Sequence, residues 1–245
     1  AYEIPKRDWS SDVCSSDLTP MNSTPTCELI QSKFLEICDF QDSKMKILVL
    51  GDSHAGVLTD ALMRLRDKGQ FSVHISVFSS CPFALDLQYE TLCAKRNRSM
   101  IQIIGKEKYD YIFSTFRAPN HYLWTPGLKR TPNYDVDKLL LGLQFLENHT
   151  NRSIFAFPNS ELSVNTFLRR YLPEAERVRT DNNFVETFKK SGLGRTEPLN
   201  TDSAICMSSC SFSQLERVLG EDGNHLNELA SKRLSRFLQT TVFSD

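Results

Sequence analysis

From residue 27 onward, short apolar runs alternate with stretches of helical period. "KILVLG" (46–51) carries four consecutive apolar residues, Ile47 to Leu50, and reads as a strand buried on both faces. "FSVHISVF" (71–78), "YDYIFSTF" (109–116) and "SIFAFP" (153–158) are further strands. Between them, "GVLTDALMRLRDKG" (56–69), stopped by Gly69, and "VDKLLLGLQFLENH" (136–149) repeat apolar positions with the 3.6-residue period of a helix. "SMIQIIGKEK" (99–108), "SVNTFLRRYL" (163–172) and "FVETFKKSG" (184–192) are predicted helices. So is "NELASKRLSRFLQTT" (227–241), with Leu229, Leu234, Phe237 and Leu238 on one side. Residues 79–98 read as a long cysteine-bearing loop, and 117–135 as an aromatic loop with three prolines. Apolar strands alternating with helices predict an α/β fold, a mostly parallel central sheet with helices on both faces.

The chain of 245 residues is 40% hydrophobic and carries a net charge of -1. It is large enough for a real core, and its charge gives no support to a nucleic-acid partner or an anionic membrane surface. No apolar run approaches the ~20 residues of a membrane span, and the first residues lack the apolar stretch of a signal peptide. "DWSSDVCSSDL" (8–18) reads as the in-frame translation of a sequencing adapter. Residues 1–18 are therefore expected to be an artefact or a disordered leader, and the natural chain is expected to continue upstream of Thr19.

Setting Cys14 aside leaves six cysteines: Cys27, Cys38, Cys81, Cys93, Cys206 and Cys210. They fall as locally spaced pairs, which suggests disulfides and an oxidising compartment. Metal ligation competes, but there is no CxxC and no zinc-like His/Cys spacing, so no metal is expected. Free thiols are the other alternative.

Ligands of a parallel sheet bind beyond the carboxyl ends of its strands. "GDSH" places Ser53 there, after the first strand and before a helix whose N–H groups and positive dipole end point the same way. That suits a nucleophile whose attack creates an oxyanion, with Gly51 permitting a tight strand exit. The bland alternative makes Asp52 or Ser53 an N-cap only. A second motif favours chemistry: "DGNH" sets Asp222 and His225 three residues apart before the last helix. The carboxylate can fix the imidazole tautomer and leave the other nitrogen for the serine proton.

With these motifs the sequence resembles the SGNH (GDSL-like) hydrolases, from about residue 25 to the end. It is closest to the SGNH domain fused behind acyltransferase family 3 membrane domains in O-antigen and exopolysaccharide O-acetyltransferases. The residues that carry the likeness are Cys27 and Cys38 before the first strand, "GDSHA", "SSCPF" with Cys81 and Pro82, and Phe116–Arg117 at the end of the third strand. "FPNSEL" and "CMSSC", with Cys206 and Cys210, complete the set. The resemblance implies a three-layer α/β/α, flavodoxin-like fold, with a disulfide-bearing extension over 19–45 and the SGNH domain over 46–245. It implies a triad of Ser53, His225 and Asp222, with disulfides among the six cysteines. The expected activity is O-acyl transfer, acetyl above all, to extracytoplasmic polysaccharide on the periplasmic face of the inner membrane. No cofactor is expected in this domain; acetyl-CoA would serve the membrane domain that delivers the acyl group. A standalone carbohydrate esterase and a non-catalytic glycan-binding module are the alternatives.

The sequence departs from the family at the oxyanion hole. The usual Gly after strand two and the GxND Asn are not evident. Besides the Ser53 amide, the donors on offer are Ser80 and Cys81 in one loop and Arg117 and Asn120 in another. Ala118 stands where a Trp usually follows the Arg, with Trp124 further along, and Asn227 replaces a small Ser as a good N-cap. His54 and His121 are candidates for substrate contact, and His74 reads as core or surface. "KRNR" (95–98) and "LKR" (128–130) read as solvated. Asn22, Asn97, Asn148 and Asn151 head N-x-S/T sequons.

Overall fold

The computed structural model describes residues 27–30, 33–38, 43–69, 71–78, 81–85, 92–116, 136–157, 161–162, 178–179, 182–207, 210–219 and 226–244. Its centre is a seven-stranded sheet. The strands are β1 (Cys27–Ile30), β2 (Leu35–Cys38), β3 (Met45–Gly51), β4 (Phe71–Val77), β5 (Tyr109–Thr115), β6 (Thr150–Ala156) and β9 (Thr196–Leu199), in the order β1-β2-β4-β3-β5-β6-β9. A separate antiparallel pair joins β7 (Glu161–Leu162) to β8 (Val178–Arg179). The β4-β3-β5-β6-β9 segment is parallel throughout. β2 adds antiparallel to β4, and β1 closes that edge as a hairpin.

The described helices are α1 (Gly56–Gly69), α2 (Leu92–Ile104), α3 (Val136–His149), α4 (Asn182–Lys190), α5 (Thr201–Cys206), α6 (Phe212–Val218) and α7 (Glu228–Thr241). Alternation along β3 separates two cores. Ile47 and Val49 join Leu58, Leu62 and Leu65 of α1 and Leu234 and Leu238 of α7 on one face. Leu48 and Leu50 join Met100 and Ile104 of α2 and Leu139, Leu143 and Leu146 of α3 on the other. This is the expected three-layer α/β/α sandwich, and the apolar run Ile47–Leu50 exists because both faces of β3 are covered.

The chain leaves β3 toward β4 on one side and returns to β5 on the other. The carboxyl end of β3 therefore lies at the topological switch point, where an open parallel sheet forms its crevice. Helices α1 and α3 coincide with their predicted spans. Three expectations need correction. Helix α2 begins at Leu92, so the last seven residues of the predicted 79–98 loop are helical, and it ends at Ile104 rather than 108. Strand β6 begins at Thr150, not Ser153. Leu229 is 39% exposed, while Leu234 and Leu238 carry the buried face of α7. The hairpin β1–β2, β9, α5 and α6 were not predicted: these are short elements whose polar positions break the apolar period. The predicted helix over 163–172 and the loop over 117–135 lie outside the described residues.

Candidate active site

Strand β3 ends at Gly51, and the chain turns at once into a single 3-10 turn, Ser53–Ala55, that runs into α1. Gly51 is required by space rather than by torsion. A Cβ there would stand 2.1 Å from the Thr115 carbonyl oxygen of β5 and 3.0 Å from Ala55 Cβ. Among the described glycines only Gly192 has a positive φ, so the expected conformational role gives way to close approach.

Asp52 is the cap. It lies extended, its Oδ1 accepts the His54 N–H at 2.9 Å and its carbonyl accepts the Ala55 N–H at 3.0 Å. The Gly56 N–H donates to the Ser53 carbonyl. The amides of His54, Ala55 and Gly56 are thus committed within the turn. Capping is done by the residue before Ser53, which removes the cap as the reason for a serine at 53. Asp52 is buried at 1% exposure and Ser53 is half-buried at the mouth of the turn. His54 is buried beneath it.

The second expected motif flanks α7. That helix runs in the same direction as α1. Its first turn meets the middle of α1, where Arg64 donates to Glu228 Oε1 at 3.2 Å and to Ser231 Oγ at 3.3 Å. Its far end brings Phe243 onto Phe71 at the amino end of β4, ring centroids 5.6 Å apart. Asn227 caps α7 by accepting the Leu229 and Ala230 N–H groups, as its sequence position predicts. Lys232 first, and then Arg64, hold the exposed Glu228 carboxyl below its ordinary value. The entrance to α7 at Leu226 is tied by a bridge to Leu219. Asp222 and His225, like Ser80, Arg117, Asn120 and His121, lie outside the described residues.

Cys81 is spent twice over: its N–H donates to the Phe78 carbonyl at 3.0 Å and its sulfur is joined to Cys93. Cys27 pairs with Cys38 across the β1–β2 hairpin, and Cys206 with Cys210 beyond α5. The six cysteines thus form three local disulfides. Cys27, Glu36 and Cys38 converge, but both sulfurs there are in the disulfide and leave a lone carboxylate. His74 is core: Nδ1 lies 3.0 Å from the buried Tyr109 hydroxyl.

Sequence reasoning missed Arg96 and Asn97. Within the "KRNR" run read as solvated, Lys95 and Arg98 are exposed, but Arg96 is 0% and Asn97 2% exposed. Asn97 Nδ2 donates to the Pro82 and Ala84 carbonyls at 3.1 Å each, so the asparagine of this sequon is buried and committed. For Asn97 the signal was present: Cys93, Asn97, Met100 and Ile104 form a helical stripe of buried residues that a Lys/Arg-rich stretch disguises.

Residues 22–240, well over half of the chain, match the family described as the SGNH domain (fused to AT3 domains). The chain belongs to this SGNH domain family. Among solved structures, it resembles the periplasmic domain of a Salmonella ser. Paratyphi A lipopolysaccharide acetyltransferase, with a TM-score of 0.57 at 16% identity over 83% of this chain and 85% of that one. A carbohydrate acetylesterase family member from Sinorhizobium meliloti matches with a TM-score of 0.50 at 12% identity, over 82% and 98% of the two chains. A catalytic mutant of an acetylxylan esterase from Geobacillus stearothermophilus gives 0.52 at 14% identity, over 82% and 95%. At these identities the likeness is one of fold. No curated protein matches the chain in sequence. No helix among the described residues is long and apolar enough to cross a membrane.

Proposed function

We propose that this SGNH domain is the catalytic domain of a serine-dependent O-acyltransferase that acetylates extracytoplasmic polysaccharide, such as O-antigen. The observation that carries the reading is the place of Ser53. It stands at the switch point of the sheet, in a turn whose capping is done by Asp52 and whose next three amides are committed internally. Membership of a family fused to acyltransferase membrane domains supports the acyl-transfer side of the reading. The three disulfides suit the oxidising, periplasmic side of the membrane.

In this reading Ser53 Oγ attacks the acyl carbonyl while His225 takes its proton, and Asp222 holds the imidazole in the required tautomer. The Ser53 amide, with a donor from Ser80, Arg117 or Asn120, faces the oxyanion. His225 returns the proton to the leaving group and an acyl-Ser53 ester remains. A sugar hydroxyl, deprotonated by His225, then attacks that ester and restores Ser53. His121 is assigned to the acceptor side of the site and His54, which is buried, to positioning. The acyl group comes from acetyl-CoA through a fused membrane domain of the kind this family carries.

Hydrolysis is the same acyl-enzyme met by water, and transfer prevails only where an oriented sugar displaces that water. The test is turnover of a small acetyl ester with and without an oligosaccharide acceptor. Acetylated sugar supports transfer, and acetate alone in both cases supports an esterase. No turnover by the native protein, together with glycan binding, supports a non-catalytic module.

A further inference from the structure

We propose that Arg96 is a positioning residue for the nucleophile, an inference that rests on the Ser53 reading. Arg96 heads the largest fully buried side chains among the described residues. An apolar side chain fills interior space at lower cost, so a buried guanidinium is explained by what it holds. From α2 it reaches the carboxyl ends of β3 and β4 together. Nη2 donates to the Gly51 carbonyl at 2.8 Å and also to the Ser76 carbonyl, and Nε donates to Ser76 Oγ at 3.1 Å. Nη1 donates to Asn97 Oδ1 at 2.6 Å.

One arm ends on the strand exit that leads to Ser53, and the others tie that exit to neighbouring elements. Gly51 is the last residue of β3, and its carbonyl belongs to the peptide that enters Asp52. That oxygen also accepts the Phe78 N–H at 3.1 Å, so two donors fix it. Ser76 Oγ passes the connection on to the Phe34 carbonyl at 2.8 Å, at the hairpin. Asn97, oriented by Arg96, grips the Pro82 and Ala84 carbonyls, and the Cys81–Cys93 disulfide fastens the same segment to α2. The planar fork of one arginine therefore ties the entry to the Ser53 turn to β4 and, through Asn97, to the 82–84 segment. Lysine keeps the charge but cannot reproduce this set of directed bonds. Loss of the fork lets the Gly51–Asp52 peptide shift and Ser53 with it, and small misplacements of a nucleophile are costly.

The test compares the native chain with Arg96→Lys and Ser76→Ala, the second removing the acceptor of Nε together with the donor to the Phe34 carbonyl and leaving the Nη2 bonds to the Gly51 and Ser76 carbonyls in place. For each, thermal stability, the number of serines titrated by a fluorophosphonate, and kcat and KM for p-nitrophenyl acetate are measured. The expected result is a kcat per titrated site about tenfold lower in Arg96→Lys and about threefold lower in Ser76→Ala, with KM within about twofold. A merely structural arginine gives a different pattern: fewer titrated sites and a lower Tm, but native kcat per site. Native kcat per site in either folded variant overturns the proposal, and Ser76→Ala decides alone if Arg96→Lys does not fold. A native protein in which Ser53 does not titrate overturns the Ser53 reading itself, and the Arg96 proposal falls with it.

Discussion

Asp52 Oδ1 receives the His54 N–H at 2.9 Å, so the turn beside Ser53 is capped by the residue that precedes it. The division of labour has a consequence for variants. Asp52→Asn keeps an acceptor oxygen and preserves the cap, whereas Asp52→Ala loses it at a cost of about 1 kcal/mol. For a domain of this size that is a Tm lower by about 2–4 °C. Thermal unfolding of the two variants checks the ranking: Asn near native, Ala below it.

Gly51→Ala drives a Cβ into the Thr115 carbonyl, which cannot yield without parting β3 from β5. Overpacking against backbone in the centre of the sheet is expected to cost about 3 kcal/mol or more. A urea titration reads this as a lower midpoint, or as failure to fold, and a native midpoint contradicts the packing account.

The frame of the site was legible in the sequence because the physics that builds it is periodic. Four apolar residues in a row from Ile47 predict a strand covered on both faces, and the stripes of α1 and α3 predict their helices to the residue. Asn227 was legible as a cap because capping is local chemistry. Gly51 was legible as a position but not as a reason, since the atom it spares belongs to Thr115, 64 residues away in the chain. Arg96 was hidden for a related cause: its burial is compensated by carbonyls gathered from β3 and β4, and no local pattern records that.

At the opposite end of the sheet Arg152 forks onto Glu197, both bonds 2.7 Å, and leans on Tyr111. The Arg152 hydrogen bond holds the Glu197 carboxyl below its ordinary value, outweighing the opposing effect of burial. A carboxylate lowered by folding stabilises the native state at pH values above its unfolded pKa of about 4.3, and the contribution is lost as pH falls through the folded value. Glu197 is half-exposed, so the bidentate pair is worth about 1 kcal/mol at most. Glu197→Gln should therefore lower stability at pH 7 and converge on the native protein near pH 3, as followed by urea unfolding at the two pH values. A gap that persists at the acid end contradicts the assignment.

The central claim is that Ser53 is the nucleophile and that His225 and Asp222 activate it. Its most direct measurement is fluorophosphonate labelling followed by peptide mass mapping of the native chain and of Ser53→Ala, His225→Ala and Asp222→Asn. One adduct on the peptide containing Ser53 is expected in the native chain, none in Ser53→Ala, and labelling slowed by about 10³-fold or more in His225→Ala and Asp222→Asn. An unlabelled native protein, an adduct on another serine, or undiminished labelling of the His225 variant would contradict it.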